Sequence, residues 1–177
     1  MKILGIDPGY DRLGVAVIES GAGKKDALLF STCLTTSKDD DFTERLWQLA
    51  EAVEKIIKKF SPDIMALEKI FFSTNQKTAI KVAEVRGVIS YLARQFNLTL
   101  INLAPLEVKL AITGYGQASK DQVKRMVELM ISETRSIKSD DEIDAVAMAL
   151  AGASRAALIY PQKAVLKIAK KSRYGRK

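Results

Sequence analysis

The chain of 177 residues contains no histidine, and this absence excludes several kinds of catalytic site. A Ser-His-Asp or Cys-His nucleophile, an imidazole general base and a histidine-ligated zinc site all need a side chain that the sequence lacks. Any hydrolytic chemistry must therefore come from carboxylates, lysines, hydroxyls or a bound metal. Ligand sets made of oxygen alone favour Mg²⁺ or Mn²⁺.

Cysteine and long apolar runs are also scarce. Cys33 is the only cysteine, so an internal disulfide is excluded, and its apolar neighbours predict a small core residue in a reducing cytosol. No apolar stretch approaches the roughly 18 residues of a membrane span. The first residues show neither the basic leader nor the cleavage site of a secretory signal. We therefore expect a cytoplasmic protein without membrane contact.

The net charge of +7 is concentrated near one end of the sequence. Residues 155–177 hold eight basic side chains and no acidic one, whereas the other 154 residues carry 20 basic and 21 acidic groups. Such a basic segment suggests nucleic acid as a partner, with a membrane surface as the less favoured alternative. We expect one domain over residues 1–159 and a basic tail over 160–177 that adds DNA contacts or is a solvated arm.

The order of the elements predicts a single α/β sheet. Short glycine- or charge-containing links join the first three strands and indicate an antiparallel meander. A helix precedes each of the last two strands and implies parallel crossovers. Trp47 flanks the apolar stripe of the first helix and is predicted to be a core or edge residue. The predicted strands are 2–7, 13–18, 27–34, 63–68 and 98–103, and the predicted helices are 42–60, 76–96, 105–114, 119–131 and 141–159.

Acidic residues end two of these strands and open the last helix. Asp7 ends the first strand before a Pro-Gly turn, and Glu68 ends the fourth strand. Asp141 and Asp144 lie one turn apart at the start of the last helix, and Asp140 is a physical rival to Asp141. Each acid alone could serve a turn or a helix cap. Carboxylates at three separated element ends are, however, the pattern of a metal site.

Four short motifs occur in a fixed order. They are Gly5-Ile6-Asp7-Pro8-Gly9, Leu67-Glu68-Lys69-Ile70-Phe71, Val85-Arg86-Gly87-Val88 and Asp141-Glu142-Ile143-Asp144-Ala145-Val146-Ala147-Met148-Ala149. Each motif alone is weakly specific, but together they span residues 3 to about 153, and in this order and spacing they resemble the RuvC-type Holliday-junction resolvases. The resemblance implies a ribonuclease-H-like fold with a five-stranded mixed sheet flanked by helices.

The same resemblance implies an activity and partners. It predicts a homodimer that cuts four-way DNA junctions in recombination and repair, near the nucleoid, with a branch-migration helicase as a further partner. The cofactor would be Mg²⁺, for which Mn²⁺ can substitute, with two ions in each active site. Such ions, roughly 3.5–4 Å apart, make a water more acidic and neutralise charge on the attacking and leaving oxygens.

The acidic residues take separate roles in this hypothesis. Asp7 is the best candidate for a ligand shared by both ions, Glu68 would bind one of them, and Asp144 would close the site. Asp141 is a fourth candidate at a position where some relatives have histidine. The alternative for Asp140 or Asp141 is that the residue only caps the helix.

The resemblance also indicates residues that would contact DNA. Phe71 is expected to stack on bases near the junction crossover, with Phe72 as its buried neighbour, and such stacking contributes about 1–3 kcal/mol per base. Lys109 and Lys120 fall where the family places basic residues near the cut phosphate, although each could equally be a solvated lysine. The weaker candidates for DNA contact are Asn75, Lys77 and Arg86.

Gly87, directly after Arg86, lies inside a predicted helix, where glycine costs about 1 kcal/mol relative to alanine. This cost suggests close packing, for which the implied dimer contact is one location. Two other functions stay open on the sequence alone. One is a related ribonuclease-H-like nuclease acting on structured RNA, and the other is a junction-binding protein without catalysis.

Overall fold

The computed structural model describes residues 1–21, 23, 25–69 and 76–159, without the side chains of 76–78. The five strands are β1 (Lys2–Asp7), β2 (Arg12–Glu19), β3 (Ala27–Thr35), β4 (Ile64–Glu68) and β5 (Thr99–Leu103). The helices are α1 (Phe42–Phe60), α2 (Gln76–Gln95), α3 (Pro105–Thr113), α4 (Lys120–Met130) and α5 (Asp140–Ile159). A 3₁₀ turn, which the sequence did not predict, covers Ser132–Ser136 between α4 and α5.

All five strands form one mixed sheet with the order β3-β2-β1-β4-β5. The first three strands are antiparallel neighbours, whereas β1 pairs with β4, and β4 with β5, in parallel. The predicted meander and parallel crossovers are therefore confirmed, as is the fold class. Because β1 and β4 run in parallel with Ile6 opposite Leu67, the next residues, Asp7 and Glu68, leave the sheet side by side.

The alternation of side chains along the strands decides which face of the sheet carries the acids. Ile3 packs on the α5 side of the sheet, whereas Leu4 and Ile6 pack on the side covered by α1 and α2. Successive residues of a strand point to opposite faces, so Asp7 lies on the face of Ile3, toward α5. By the same alternation, Glu68 shares the α5 face with Ala66.

Glycine at three contact points lets α5 lie directly against the sheet. A Cβ on Gly5 would overlap the carbonyl oxygen of Ala145, and one on Gly14 would overlap that of Asp141. Gly152 makes a similar approach to Ala66 farther along the helix. The first turns of α5 are thus held at backbone contact distance from β1 and β2, beside the ends of the strands that carry the acids.

Several local predictions can be compared with the structure. The capping box of α4 is present, since Ser119 Oγ accepts from Gln122 N–H at 3.2 Å and Gln122 Oε1 accepts from Ser119 N–H at 2.8 Å. Trp47 is 58% exposed, so of the two positions predicted for it, core or edge of the apolar stripe, the core position is wrong. Cys33 is only partly buried, because β3 is an edge strand of the sheet.

Two expectations concern features beyond the sheet. In the ranges that the structure covers, none of the helices combines the length and the apolar composition needed to cross a membrane. The basic tail of 160–177 lies outside the described residues, so the division into a domain and a tail stays a prediction.

The packing of α5 against β1 makes Gly5 sensitive to substitution. We expect Gly5→Ala to destabilise the protein by about 3 kcal/mol, because the added Cβ meets main-chain atoms that cannot move without shifting the helix. The matched control is Gly21→Ala, where an added Cβ meets nothing within 4 Å. Urea unfolding of the two variants measures the difference, and equal stability would contradict this account of the packing.

Candidate active site

Asp7 and Glu68 form the centre of an acidic cleft. Their side chains are partly buried and line one cleft at the ends of the neighbouring strands β1 and β4. Asp144, from the first turns of α5, lines the same cleft, which has a volume of about 240 Å³. Three carboxylates that are far apart in the sequence therefore meet beside the carboxyl ends of β1 and β4.

The electrostatics of this cluster are unfavourable without a cation. Burial, followed by the charges of Glu68, Asp144 and Asp141, raises the pKa of Asp7 to about 7. Burial and the charge of Asp144 likewise raise the pKa of Glu68. A set of carboxylates that repel one another fits a divalent cation, and oxygen ligands suit Mg²⁺ or Mn²⁺.

The acidic side chains that the structure describes in the cleft do not form a complete metal site in their present positions. Within the described ranges, no three acidic or thiol side chains are grouped tightly enough to hold one ion as they stand. The three carboxylates nevertheless line the same cleft.

Basic residues line the rim of the cleft. Lys120, at the first position of α4, places its Nζ 3.1 Å from Oδ2 of Asp144, and its side chain is 78% exposed. The hydrogen bond to Asp144 and the negative charge of that group raise the pKa of Lys120. Lys109 of α3 lines the same cleft. Both lysines predicted near a cut phosphate are therefore placed beside the acids, although contact with DNA stays a prediction.

Asp141 faces a different set of partners. Its Oδ2 accepts from Arg12 Nε at 2.7 Å, from Ser139 Oγ at 3.4 Å and from the Cys33 thiol at 3.6 Å. Although burial acts in the opposite direction, the hydrogen bond and charge of Arg12 hold the pKa of Asp141 below its ordinary value. Asp141 is thus paired with an arginine outside the residues that line the cleft.

Asp140 is an even more exposed residue at the start of α5. Its carboxylate lies 3.6 Å from Lys124 Nζ, and its side chain is 73% exposed. Asp140 therefore makes a surface ion pair with the neighbouring helix, whereas Asp144, one turn later, reaches the cleft.

Of the other residues predicted to contact DNA, the structure describes the side chain of Arg86 only. Arg86 donates from Nε to the carbonyl oxygen of Glu68 at 2.8 Å and from Nη2 to Oδ1 of Asn102. Phe71 and Asn75, with Phe72, lie outside the described residues, and so does the side chain of Lys77. Their assignment to DNA contact stays a prediction.

Sequence reasoning missed the partners of two charged residues. Arg12 follows the Asp7 turn closely, but its pairing with Asp141 joins positions 129 residues apart. Asn102 carries no motif and becomes recognisable only because β5 lies next to β4. The closeness of Arg12 to the turn after β1 is the one sequence feature that could have suggested a place near the site.

The mixed sheet carries two acids at the ends of neighbouring strands, and α5, which packs on the sheet, adds a third. This arrangement defines a ribonuclease-H-like protein with an acidic cleft. The family model described as "Crossover junction endodeoxyribonuclease RuvC" matches residues 3–152. The chain therefore belongs to the RuvC family, which confirms the resemblance carried by the four motifs.

Individual relatives agree with this assignment. A crossover junction endodeoxyribonuclease RuvC of Thermosipho melanesiensis is 42% identical over 149 residues, which is 84% of this chain and 94% of the relative. The protein of the same name in Moorella thermoacetica is 39% identical over 154 residues, covering 87% of this chain and 92% of its own.

Solved structures show the same architecture. Thermus thermophilus RuvC in complex with a Holliday junction substrate superposes with a TM-score of 0.84 at 29% identity, over 89% of this chain and 96% of that one. The yeast mitochondrial Holliday junction resolvase Ydc2 superposes with a TM-score of 0.65 at 14% identity, over 97% of this chain and 83% of its own. The second likeness concerns the fold alone.

The raised pKa of Asp7 predicts how stability depends on pH without divalent metal. Because the folded-state pKa of about 7 exceeds the ordinary value of 3.8, the proton stabilises the folded protein below about pH 4, and this contribution is lost as the pH rises through 7. We expect Asp7→Asn in EDTA to remove much of this decline. At pH 8 it should exceed the wild type in stability by up to roughly 4 kcal/mol, since one pKa unit corresponds to about 1.4 kcal/mol.

Urea unfolding between pH 4 and 8 measures this effect. The control is Asp140→Asn, because Asp140 lies in an exposed ion pair rather than in the cleft. Its stability should follow the wild-type pH dependence. Parallel curves for Asp7→Asn and the wild type would contradict the electrostatic account of the cleft.

Proposed function

We propose that the protein is a structure-selective endonuclease that resolves four-way Holliday junctions by paired nicks in recombination and repair. The observation that carries the proposal is the meeting of Asp7, Glu68 and Asp144 in one cleft of a RuvC-family chain. The related Thermus thermophilus RuvC forms a complex with a Holliday junction substrate, which supports the same class of substrate here.

The carboxylates of the cleft are suited to hold Mg²⁺, or Mn²⁺ in its place. The negative charges of Glu68, Asp144 and Asp141 all act on the Asp7 carboxylate. Asp7 would therefore be shared by two ions, Glu68 would bind one of them, and Asp144 would close the site. When bound, such ions make the attacking water more acidic and neutralise charge on the phosphate oxygens. Asp141 is a weaker candidate for a fourth ligand, because Arg12 and Ser139 already bind its Oδ2.

The lysines on the rim complement a phosphate diester. Lys120 is held beside the cleft by Asp144, whose hydrogen bond and charge raise the pKa of the Lys120 ammonium further above neutral pH. A fixed cation at this position stabilises negative charge that develops on the phosphate. Lys109, which lines the cleft from α3, would hold the same strand by a second charge.

Paired nicks need two active sites, so we propose that the protein acts as a homodimer. Exposed residues on one face of α2 support this: Ile80 is 55% and Tyr91 is 66% exposed, at helical spacings from Gly87. The close packing predicted at Gly87 is absent within the described part of the protomer, where an added Cβ meets nothing within 4 Å. The open position beside exposed apolar residues suits a second copy of the helix.

The dimer proposal predicts the behaviour of a variant in α2. Tyr91→Glu should shift the protein toward monomer, because it places a charge in the proposed contact. Leu129→Glu is the control, since Leu129 is 71% exposed on a different helix, α4. Sedimentation equilibrium measures both masses. A wild-type protein that sediments as a monomer at micromolar concentration would contradict the dimer.

Three further parts of the proposal follow from the substrate. Junctions arise on chromosomal DNA, which places the enzyme in the cytoplasm at the nucleoid. A branch-migration helicase that moves the junction is the expected protein partner. Phe71, Asn75, Lys77 and the basic tail are proposed to contact DNA, and each can be tested by its effect on junction affinity.

Removal of single acids tests the proposed chemistry. We expect Asp7→Asn, Glu68→Gln and Asp144→Asn each to slow junction cleavage more than about 100-fold, since loss of the groups around metal ligands alone typically costs 10–100-fold. Junction affinity measured in EDTA should remain near that of the wild type, because these changes remove no positive charge. Asp140→Asn is the control and should cut at the wild-type rate.

The assay should compare a four-way DNA junction, duplex DNA and a structured RNA, each with Mg²⁺ and with EDTA. Cutting of the junction only, and only with Mg²⁺, is expected. Preferential cutting of the RNA would favour the related ribonuclease-H-like activity. Junction binding without any cutting would favour a non-catalytic protein, and wild-type cutting by Asp7→Asn would show that the site is wrong.

A further inference from the structure

Arg86 joins helix α2 to the carboxyl ends of two neighbouring strands. Its Nε donates to the main-chain carbonyl of Glu68 at 2.8 Å, and its Nη2 donates to the side-chain oxygen of Asn102. Leu67 and Asn102 are opposite one another in the parallel pair of β4 and β5. The guanidinium therefore spans the two strands at the edge of the sheet where the acids lie.

The carbonyl of Glu68 is at the point where the regular sheet pairing ends. Lys69 N–H still donates to the carbonyl of Leu103 at 2.8 Å, and the chain then leaves β4. The carbonyl of Glu68 itself receives the Arg86 guanidinium, and hydrogen bonds from a charged donor are shorter and stronger than neutral ones. The backbone that carries the Glu68 side chain is thus fixed by a charged group from another element.

The base of the Arg86 side chain is itself held firmly. Val85 and Ile89 of the same helix are each 1% exposed and pack in the core beneath the sheet. The guanidinium has a planar fork of donors, which can bind two acceptors at a fixed separation, whereas a lysine offers one flexible ammonium. Arg86 therefore links α2 to the ends of both β4 and β5 through two hydrogen bonds from one planar group.

We infer that Arg86, together with Asn102, is a positioning residue that holds the end of β4 so that the Glu68 carboxylate stays beside Asp7. Groups that bind a metal ion must be kept within about 0.5 Å of their working geometry, which requires support from the residues behind them. The inference rests on the proposed function, because it assigns Glu68 to a metal site. It is an alternative to the prediction that Arg86 contacts DNA.

Mn²⁺ binding and DNA binding distinguish the two roles. We expect Arg86→Ala to weaken Mn²⁺ binding, measured by electron paramagnetic resonance without DNA, and to slow junction cleavage, each by about 10–100-fold. Junction affinity in EDTA, and its dependence on salt, should match the wild type. Arg86→Lys should restore part of the Mn²⁺ affinity, and Asn102→Ala should lower it in the same direction.

The control is Arg94→Ala, which removes the same charge from an exposed position near the end of α2. It should leave Mn²⁺ binding unchanged. If Arg86→Ala instead lowers junction affinity in EDTA and flattens its salt dependence, while Mn²⁺ binding is unchanged, Arg86 is a DNA contact and the inference is wrong. If Arg86→Ala does not fold, the Mn²⁺ affinities of Arg86→Lys and Asn102→Ala test the inference instead. Mn²⁺ binding equal to that of the wild type in both variants would overturn it.

Glu68→Gln separates this inference from the proposed function. If Glu68→Gln binds Mn²⁺ weakly but Arg86→Ala binds it normally, only the role of Arg86 is overturned. If Glu68→Gln also binds Mn²⁺ as the wild type does, the metal site at Glu68 is wrong and the positioning role fails with it.

Discussion

The backbone contact between α5 and the first two strands is the constraint on which the rest of the structure depends. Gly5 and Gly14 leave no side chain between the sheet and the helix, so the carbonyls of Ala145 and Asp141 lie where a Cβ would otherwise be. This approach fixes the height of the helix start above the sheet edge. Parallel pairing of β1 and β4 places Asp7 and Glu68 side by side in the cleft, and the approach of α5 adds Asp144 to them.

The same arrangement concentrates negative charge in a partly buried place. The raised pKa of Asp7 reflects burial and repulsion that the fold must offset elsewhere, and the apolar core on both faces of the sheet provides that stability. Basic residues relieve only part of the repulsion. Lys120 pairs with Asp144 at the rim, and Arg12 holds Asp141 to one side, so a divalent cation remains the natural partner of the centre.

Two arginines near the cleft hydrogen-bond to oxygens of the protein itself. Arg12 satisfies an acid next to the cleft, and Arg86 binds a carbonyl and an amide oxygen at the strand ends. In both cases the guanidinium bonds to the protein's own oxygens around the cleft. Contact of Arg86 with DNA stays a prediction beside the positioning role inferred for it.

Much of the fold could be predicted from the sequence, because short-range patterns determine it. The apolar runs and helical spacings locate the five strands and five α-helices of the described residues, and the acids at strand ends mark Asp7 and Glu68. The exposure of Trp47, the open position at Gly87 and the partners of Asp141 and Arg86 were decided only in three dimensions. Local periodicity reports which face of an element is apolar, whereas these contacts depend on which distant element packs against that face and at what distance.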